Sequence, residues 1–177
     1  KTGNNQMSDR QLIILRHGEA ENGIGLEDFE RQLTARGESD AGIIGKWLGD
    51  KSLLPGRILS SPAARAVATA ELAAAASGVE PDIIRFDRRM YLASIEDLFA
   101  IVEATPAGCN CLILVGHNPG LETLLDSLVG PGQLSDYSGG QMAPASVAVI
   151  DLTIEWTAIG VGTGQLNAFV SPSELRK

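Results

Sequence analysis

Histidine is scarce in this chain: two occur among 177 residues, at positions 17 and 117. Lysine is scarce too, supplying four of the fourteen cations, and the net charge is −8. A strongly acidic chain with few lysines carries no basic stripe for nucleic acid. No apolar run reaches the roughly 18 residues of a membrane-spanning helix. Cysteine is limited to Cys109 and Cys111. Their separation is too short for a good disulfide, and a lone C-x-C lacks the four-ligand pattern of structural zinc. They read as reduced thiols entering a strand, which suits a cytoplasmic location. Aromatic residues make up only 5% of the chain, so the 44% that is hydrophobic must build an aliphatic core, and there is enough of it. The start, KTGNNQMSDR, is polar throughout and holds no signal-peptide core. Residues 1–10 read as a tag remnant and flexible N-terminus, with Met7 as the natural start, and residues 11–177 as a single domain.

Strand-length apolar runs alternate with helical patterns. LIIL (Leu12–Leu15), RILSS (Arg57–Ser61), DIIRF (Asp82–Phe86), CLILVG (Cys111–Gly116) and ASVAVIDL (Ala145–Leu152) read as strands. Between them lie helical stretches. One is capped by Thr34, with Ala41, Ile44, Trp47 and Leu48 on one face. An alanine-rich one runs from Pro62 to Ser77 with Gly78 as its stop. A third opens on Ser94 with Asp97 three residues on, and a fourth follows Pro119. EWTAIG and GQLNAFV read as a closing edge hairpin. This alternation implies an α/β three-layer sandwich: a mainly parallel central sheet with helices on both faces. LIIL and LILV lack polar alternation and therefore belong to central strands covered on both sides.

Ligands in such sheets bind beyond the carboxyl ends of the strands. Both histidines stand there, each directly after its apolar run and each beside a glycine, Gly18 or Gly116. Arg16 precedes His17, and Arg65 falls in the first turn of the alanine-rich helix, whose N-terminus favours anions. Two arginines, two histidines and a helix N-terminus at one sheet edge suit a phosphate. Arg85, Arg88 and Arg89 read as solvated. Glu19 either orients His17 or merely sits near a helix start, and Asn22 either lines the pocket or makes a turn.

LRHGEAE, SSPAARAVATAE and VGHNPGLE, in this order, resemble the histidine phosphatase superfamily, with its Arg-His-Gly motif at the end of the first strand. RQLTARGESDA, MYLASIEDL and GHNPGLETLL narrow the resemblance to its SixA-type phosphohistidine phosphatase branch. The resemblance implies the phosphoglycerate mutase-like fold. It implies His17 as nucleophile, Arg16, Arg65 and His117 as phosphate-pocket residues, Gly18, Glu19 and Asn118 as substrate contacts, and neither metal nor cofactor.

The expected reaction is attack of neutral His17 on phosphorus, then hydrolysis of the phosphohistidine formed on the enzyme. Nearby cations should hold His17 neutral. Many superfamily members place a carboxylic acid in the middle segment to protonate an alkoxide. Here that segment reads DRRMYLAS, without a clear acid, although Asp87, Glu19 or Glu122 could reach the site through a loop. An imidazole leaving group needs little help, so phosphohistidine on a protein, such as a phosphotransfer domain, is the expected substrate. The alternatives are a small-molecule phosphomonoesterase or mutase relative and a non-catalytic phosphate-binding module. A metallohydrolase lacks H-x-H or H-E-x-x-H spacing, and a serine hydrolase lacks its G-x-S-x-G elbow.

Overall fold

The computed structural model describes residues 10–137 and 140–176. The proposed tag remnant and Met7 lie outside the described residues, except that Arg10 belongs to the first strand and not to a flexible end. Six strands form one sheet: β1 (Arg10–Arg16), β2 (Arg57–Ser60), β3 (Ile84–Phe86), β4 (Cys111–Gly116), β5 (Val147–Leu152) and β6 (Gly164–Val170). Their order is β3-β2-β4-β1-β5-β6. The first four are mutually parallel, β5 opposes β1, and β6 opposes β5. The mainly parallel sheet with helices on both faces is therefore the observed architecture.

Along β1 the side chains alternate between two cores. Ile13 and Leu15 meet Ile44 and Leu48 of α1 (Ala35–Asp50) and Ala66, Ala70 and Ala73 of α2 (Ala64–Ser77). Leu12 and Ile14 meet Leu98 and Val102 of α3 (Ile95–Glu103) and Leu121 and Leu125 of α4 (Gly120–Val129). Each fully buried Leu or Ile contributes about 1.5–3 kcal/mol, which is why the unbroken apolar runs sit centrally. Helix α1 packs closely on α2 because Gly45 leaves room: a Cβ there would lie 2.4 Å from the Ala73 carbonyl oxygen.

The helix starts follow the sequence signals. The Thr34 side chain accepts from the Gly37 amide at 3.0 Å. Ser94 and Asp97 form a reciprocal capping box. Gly78 ends α2 at φ +79°, a conformation glycine adopts without steric cost. Three readings need correction. Helix α2 begins at Ala64, because Pro62 belongs to the turn leading into it. Asp82 and Ile83 form a 3-10 turn before β3, with Pro81 at its start. Residues 155–160 are not a strand: Trp156–Ala158 is a 3-10 turn. Trp156 is buried beside α3 and donates its indole N–H to the Cys109 carbonyl at 2.6 Å, a demand that overrides local strand propensity. The edge hairpin is β5–β6.

The chain leaves β1 toward α1 on one face and leaves β4 toward α4 on the other. The neighbouring carboxyl ends of β1 and β4 therefore flank a topological switch point, where this class of sheet opens a crevice.

Candidate active site

Register brings the two histidines together. Arg16 pairs with Gly116, and the His17 amide donates to the Gly116 carbonyl at 3.0 Å. Residues 17 and 117 thus leave adjacent parallel strands in step, and their rings lie 5.0 Å apart, centroid to centroid. His17 Nδ1 is 2.7 Å from the carbonyl oxygen of Gly18. A carbonyl can only accept, so Nδ1 carries the proton and Nε2 presents a lone pair. The Arg65 Nε–H points at that Nε2 from 3.3 Å. His117 pairs through Nε2 with the Ser61 hydroxyl at 2.8 Å. Ser61 follows β2, so three strand ends and the first turn of α2 supply the pocket floor.

Burial, reinforced by the neighbouring arginines, pulls His17 down to about 4 despite its bond to Gly18. His117 falls to about 3, through burial and then the adjacent His17 and Arg65. Both rings are neutral near pH 7 in the unliganded pocket. The sequence reading expected neutrality for His17 on electrostatic grounds; desolvation is the larger cause. Charge on His117 then requires an anion, whose presence would oppose that depression.

Arg16, the last residue of β1, donates from one terminal nitrogen to the Met142 carbonyl at 2.6 Å. Glu122 anchors that support. Its Oε1 accepts from the Met142 amide at 2.7 Å and from Asn118 Nδ2 at 2.7 Å, and Asn118 also donates to the Met142 carbonyl at 3.2 Å. Asn118 thus braces the segment beneath Arg16. Glu19 is turned away from His17: its exposed carboxylate accepts from the Thr34 hydroxyl at 2.8 Å. Gly18 is required by packing, since a Cβ there would come 2.7 Å from the Gly37 carbonyl oxygen, and its amide donates to Thr69 Oγ1 at 3.0 Å. Asp87 is held by Arg89, with the shortest contact at 2.7 Å.

Two rim residues escaped the sequence reading. Asp28 lies in a 3-10 turn, Asp28–Glu30. Its Oδ2 accepts from Arg65 at 3.0 Å and from the Tyr91 hydroxyl at 2.7 Å, and its Oδ1 accepts from Arg31 at 2.9 Å. Tyr91 also stands edge-on to His117, with ring centroids 5.5 Å apart, and to Phe29 at 5.0 Å. The DRRMYLAS segment, which holds no clear acid, therefore brings an aromatic ring with a hydroxyl to the site. Arg85, Arg88 and Arg89 are exposed, as read.

Residues 12–90 match the model of the histidine phosphatase superfamily (branch 1). The SixA-type protein of Agrobacterium tumefaciens is 28% identical, superposes with a TM-score of 0.79 and covers 93% of this chain and 99% of its own. The matched segment and the likeness of fold together support the histidine phosphatase superfamily, SixA-like branch. Two further solved structures share the phosphatase fold. The protein histidine phosphatase SixA complexed with tungstate is 24% identical, with a TM-score of 0.78, covering 94% of this chain and 99% of that one. A mycobacterial glucosyl-3-phosphoglycerate phosphatase is 20% identical, with a TM-score of 0.66, covering 92% and 99%. Among the described residues of this chain, no helix is long and apolar enough to cross a membrane.

Proposed function

We propose that this phosphatase removes the phosphoryl group from phosphohistidine carried by a protein, such as a phosphotransfer domain, through a covalent intermediate on His17 and without a metal. The observation that carries the reading is the unprotonated Nε2 of His17, set by the Gly18 carbonyl behind it and facing Arg65 Nε at 3.3 Å. A loose phosphoryl transition state needs positioning and charge more than covalent assistance. Arg65 and Arg16 supply the charge, and a His117 charged by the bound anion adds to it. Arg16 Nε, a buried donor, has no hydrogen-bond partner among the described residues, and neither has His117 Nδ1; a buried donor calls for an acceptor, which a phosphoryl oxygen supplies to Arg16 and to His117 once its ring is charged.

The reaction has two steps. The His17 Nε2–P bond forms as the P–N bond to the substrate breaks, and the bond pair returns to a substrate imidazole that already carries a proton on its other nitrogen. Water then attacks the phosphohistidine enzyme, the P–Nε2 bond breaks, and both protons of the water remain with the released phosphate until solvent takes one. Neither step needs an alkoxide to be protonated. The carboxylates near the site are otherwise engaged: Glu19 with Thr34, Glu122 with Asn118 and Met142, Asp87 with Arg89 and Asp28 with two arginines and a tyrosine. That favours a nitrogen leaving group.

The second reading, a small-molecule phosphomonoesterase, draws on the fold shared with the glucosyl-3-phosphoglycerate phosphatase. One comparison tests both: turnover of a phosphohistidine protein, free phosphohistidine and a panel of alcohol phosphates, with and without chelator. The phosphohistidine protein should be preferred, chelator should have no effect, and an acid-labile phosphoenzyme seen by intact mass should vanish in His17→Ala. Near wild-type turnover by His17→Ala would sink the mechanism. Equal or faster turnover of an alcohol phosphate would favour the second reading.

A further inference from the structure

We infer that Asp28 selects the leaving group: its carboxylate, fixed at the pocket rim, is the anion that holds a phosphoimidazolium ring while it departs as neutral imidazole. The inference rests on the phosphohistidine reading and deepens it. Three donors from three segments hold this carboxylate: Arg31 beside it, Arg65 from α2 and Tyr91 from the turn after β3, at 2.9, 3.0 and 2.7 Å. A carboxylate has about four acceptor positions, so one is left. The side chain is 48% exposed, which leaves it within reach of an incoming ligand. Arg65 bridges the nucleophile and this carboxylate, its Nε at His17 and its terminal nitrogens at Asp28. His17 lies on the inner side. In-line displacement puts the leaving group opposite the nucleophile, hence toward the rim.

The hydrogen bond from Tyr91, followed by that from Arg31, holds Asp28 ionised, well below the usual carboxylate range. An ionised carboxylate has no proton to give an alkoxide. It can accept a hydrogen bond from the N–H of a phosphoimidazolium and so favour the protonated substrate. The proton stays on the ring when the P–N bond breaks, and neutral imidazole leaves. The charged or titratable groups that face Asp28 are Arg31, Arg65 and Tyr91. Glu27 acts on Tyr91, and His117 interacts with Asp28 through charge. With His17 at about 4 and His117 at about 3, the imidazole of the substrate is left to set an alkaline limb between pH 6 and about 8.

The test compares kcat/KM on a chemically phosphorylated histidine peptide and on p-nitrophenyl phosphate, across pH, for the intact protein, Asp28→Asn, Asp28→Glu and Tyr91→Phe. Asp28→Asn should lower the peptide-to-ester ratio about tenfold or more and move the alkaline limb for the peptide to lower pH. Asp28→Glu, which restores the charge, should recover most of the ratio, and Tyr91→Phe, which keeps it, should hold the ratio within about threefold. Equal loss on both substrates in Asp28→Asn, with an unmoved limb, would overturn the inference and reduce Asp28 to a brace for Arg65. A wild-type protein that hydrolyses the ester but not the peptide would overturn the underlying phosphohistidine reading as well.

Discussion

The pocket has a floor and a rim, built by different physics. Arg16, His17 and His117 stand on strand ends, and the ladder that pairs β1 with β4 also sets the spacing of the two rings. Asp28 and Tyr91 arrive on irregular segments and are joined by ion pairs and a hydroxyl at a half-exposed edge. Floor positions are fixed by buried backbone hydrogen bonds that cannot shift singly. Rim positions depend on contacts that salt screens. Precision at the nucleophile and adaptability toward the substrate are thus assigned to separate parts of the chain.

Four experiments can break or sharpen this contrast. The largest effect belongs to the floor. Arg65→Ala should lower kcat/KM by about 10²–10³-fold, the scale for losing one preorganised donor to a developing charge, and steady-state kinetics would read it directly. A smaller loss would mean that Arg65 mainly holds Asp28. Next comes the backbone contact behind the floor. A Cβ on Gly37 would lie 2.1 Å from the Glu19 carbonyl oxygen, so Gly37→Ala should destabilise the fold by about 1–3 kcal/mol, seen as a lower urea midpoint at unchanged m-value. An unchanged midpoint would show that the segment after His17 can yield.

The third concerns acid. The histidines have folded values of about 4 and about 3 against an ordinary 6.5. Between those limits the unfolded chain binds more protons than the folded one, so stability rises with pH there. The stability is fully present above about pH 6.5 and is lost as pH falls toward 4. The urea midpoint should drop across that window, and replacing both histidines with glutamine should flatten the drop. The acid limb of kcat/KM should lie near 4 and not near 6.5. The smallest effect belongs to the rim: Tyr91→Phe should reduce kcat/KM by about two- to tenfold, the worth of one hydrogen bond, with the fold's Tm little changed.

The same contrast explains what could be read from sequence. Leu12–Leu15 and Leu112–Val115 are uninterrupted apolar runs, and a polar residue directly after such a run has a defined address at the sheet edge. That made Arg16, His17 and His117 legible, with Arg65 placed by its helix start. Asp28 lies in a stretch with neither helical nor alternating period, where spacing carries no directional information. Its one local clue was Arg31 three residues on. Tyr91 stands in a segment where a carboxylate is the expected proton donor, and nothing in its spacing marks it as a rim residue. Trp156 went astray for a different reason: a buried indole seeks a tertiary partner, here the Cys109 carbonyl, and local propensity cannot foretell it.

The bond between His17 Nδ1 and the carbonyl of the very next residue has a consequence for how such a site can change. Many catalytic histidines take their tautomer from a carboxylate elsewhere in the chain, so a distant substitution can disarm them. Here nucleophile and orienter are consecutive residues, and the aim of the ring is inherited with the tripeptide itself. The rim, the helices and the substrate can then diverge without the attacking nitrogen losing its lone pair.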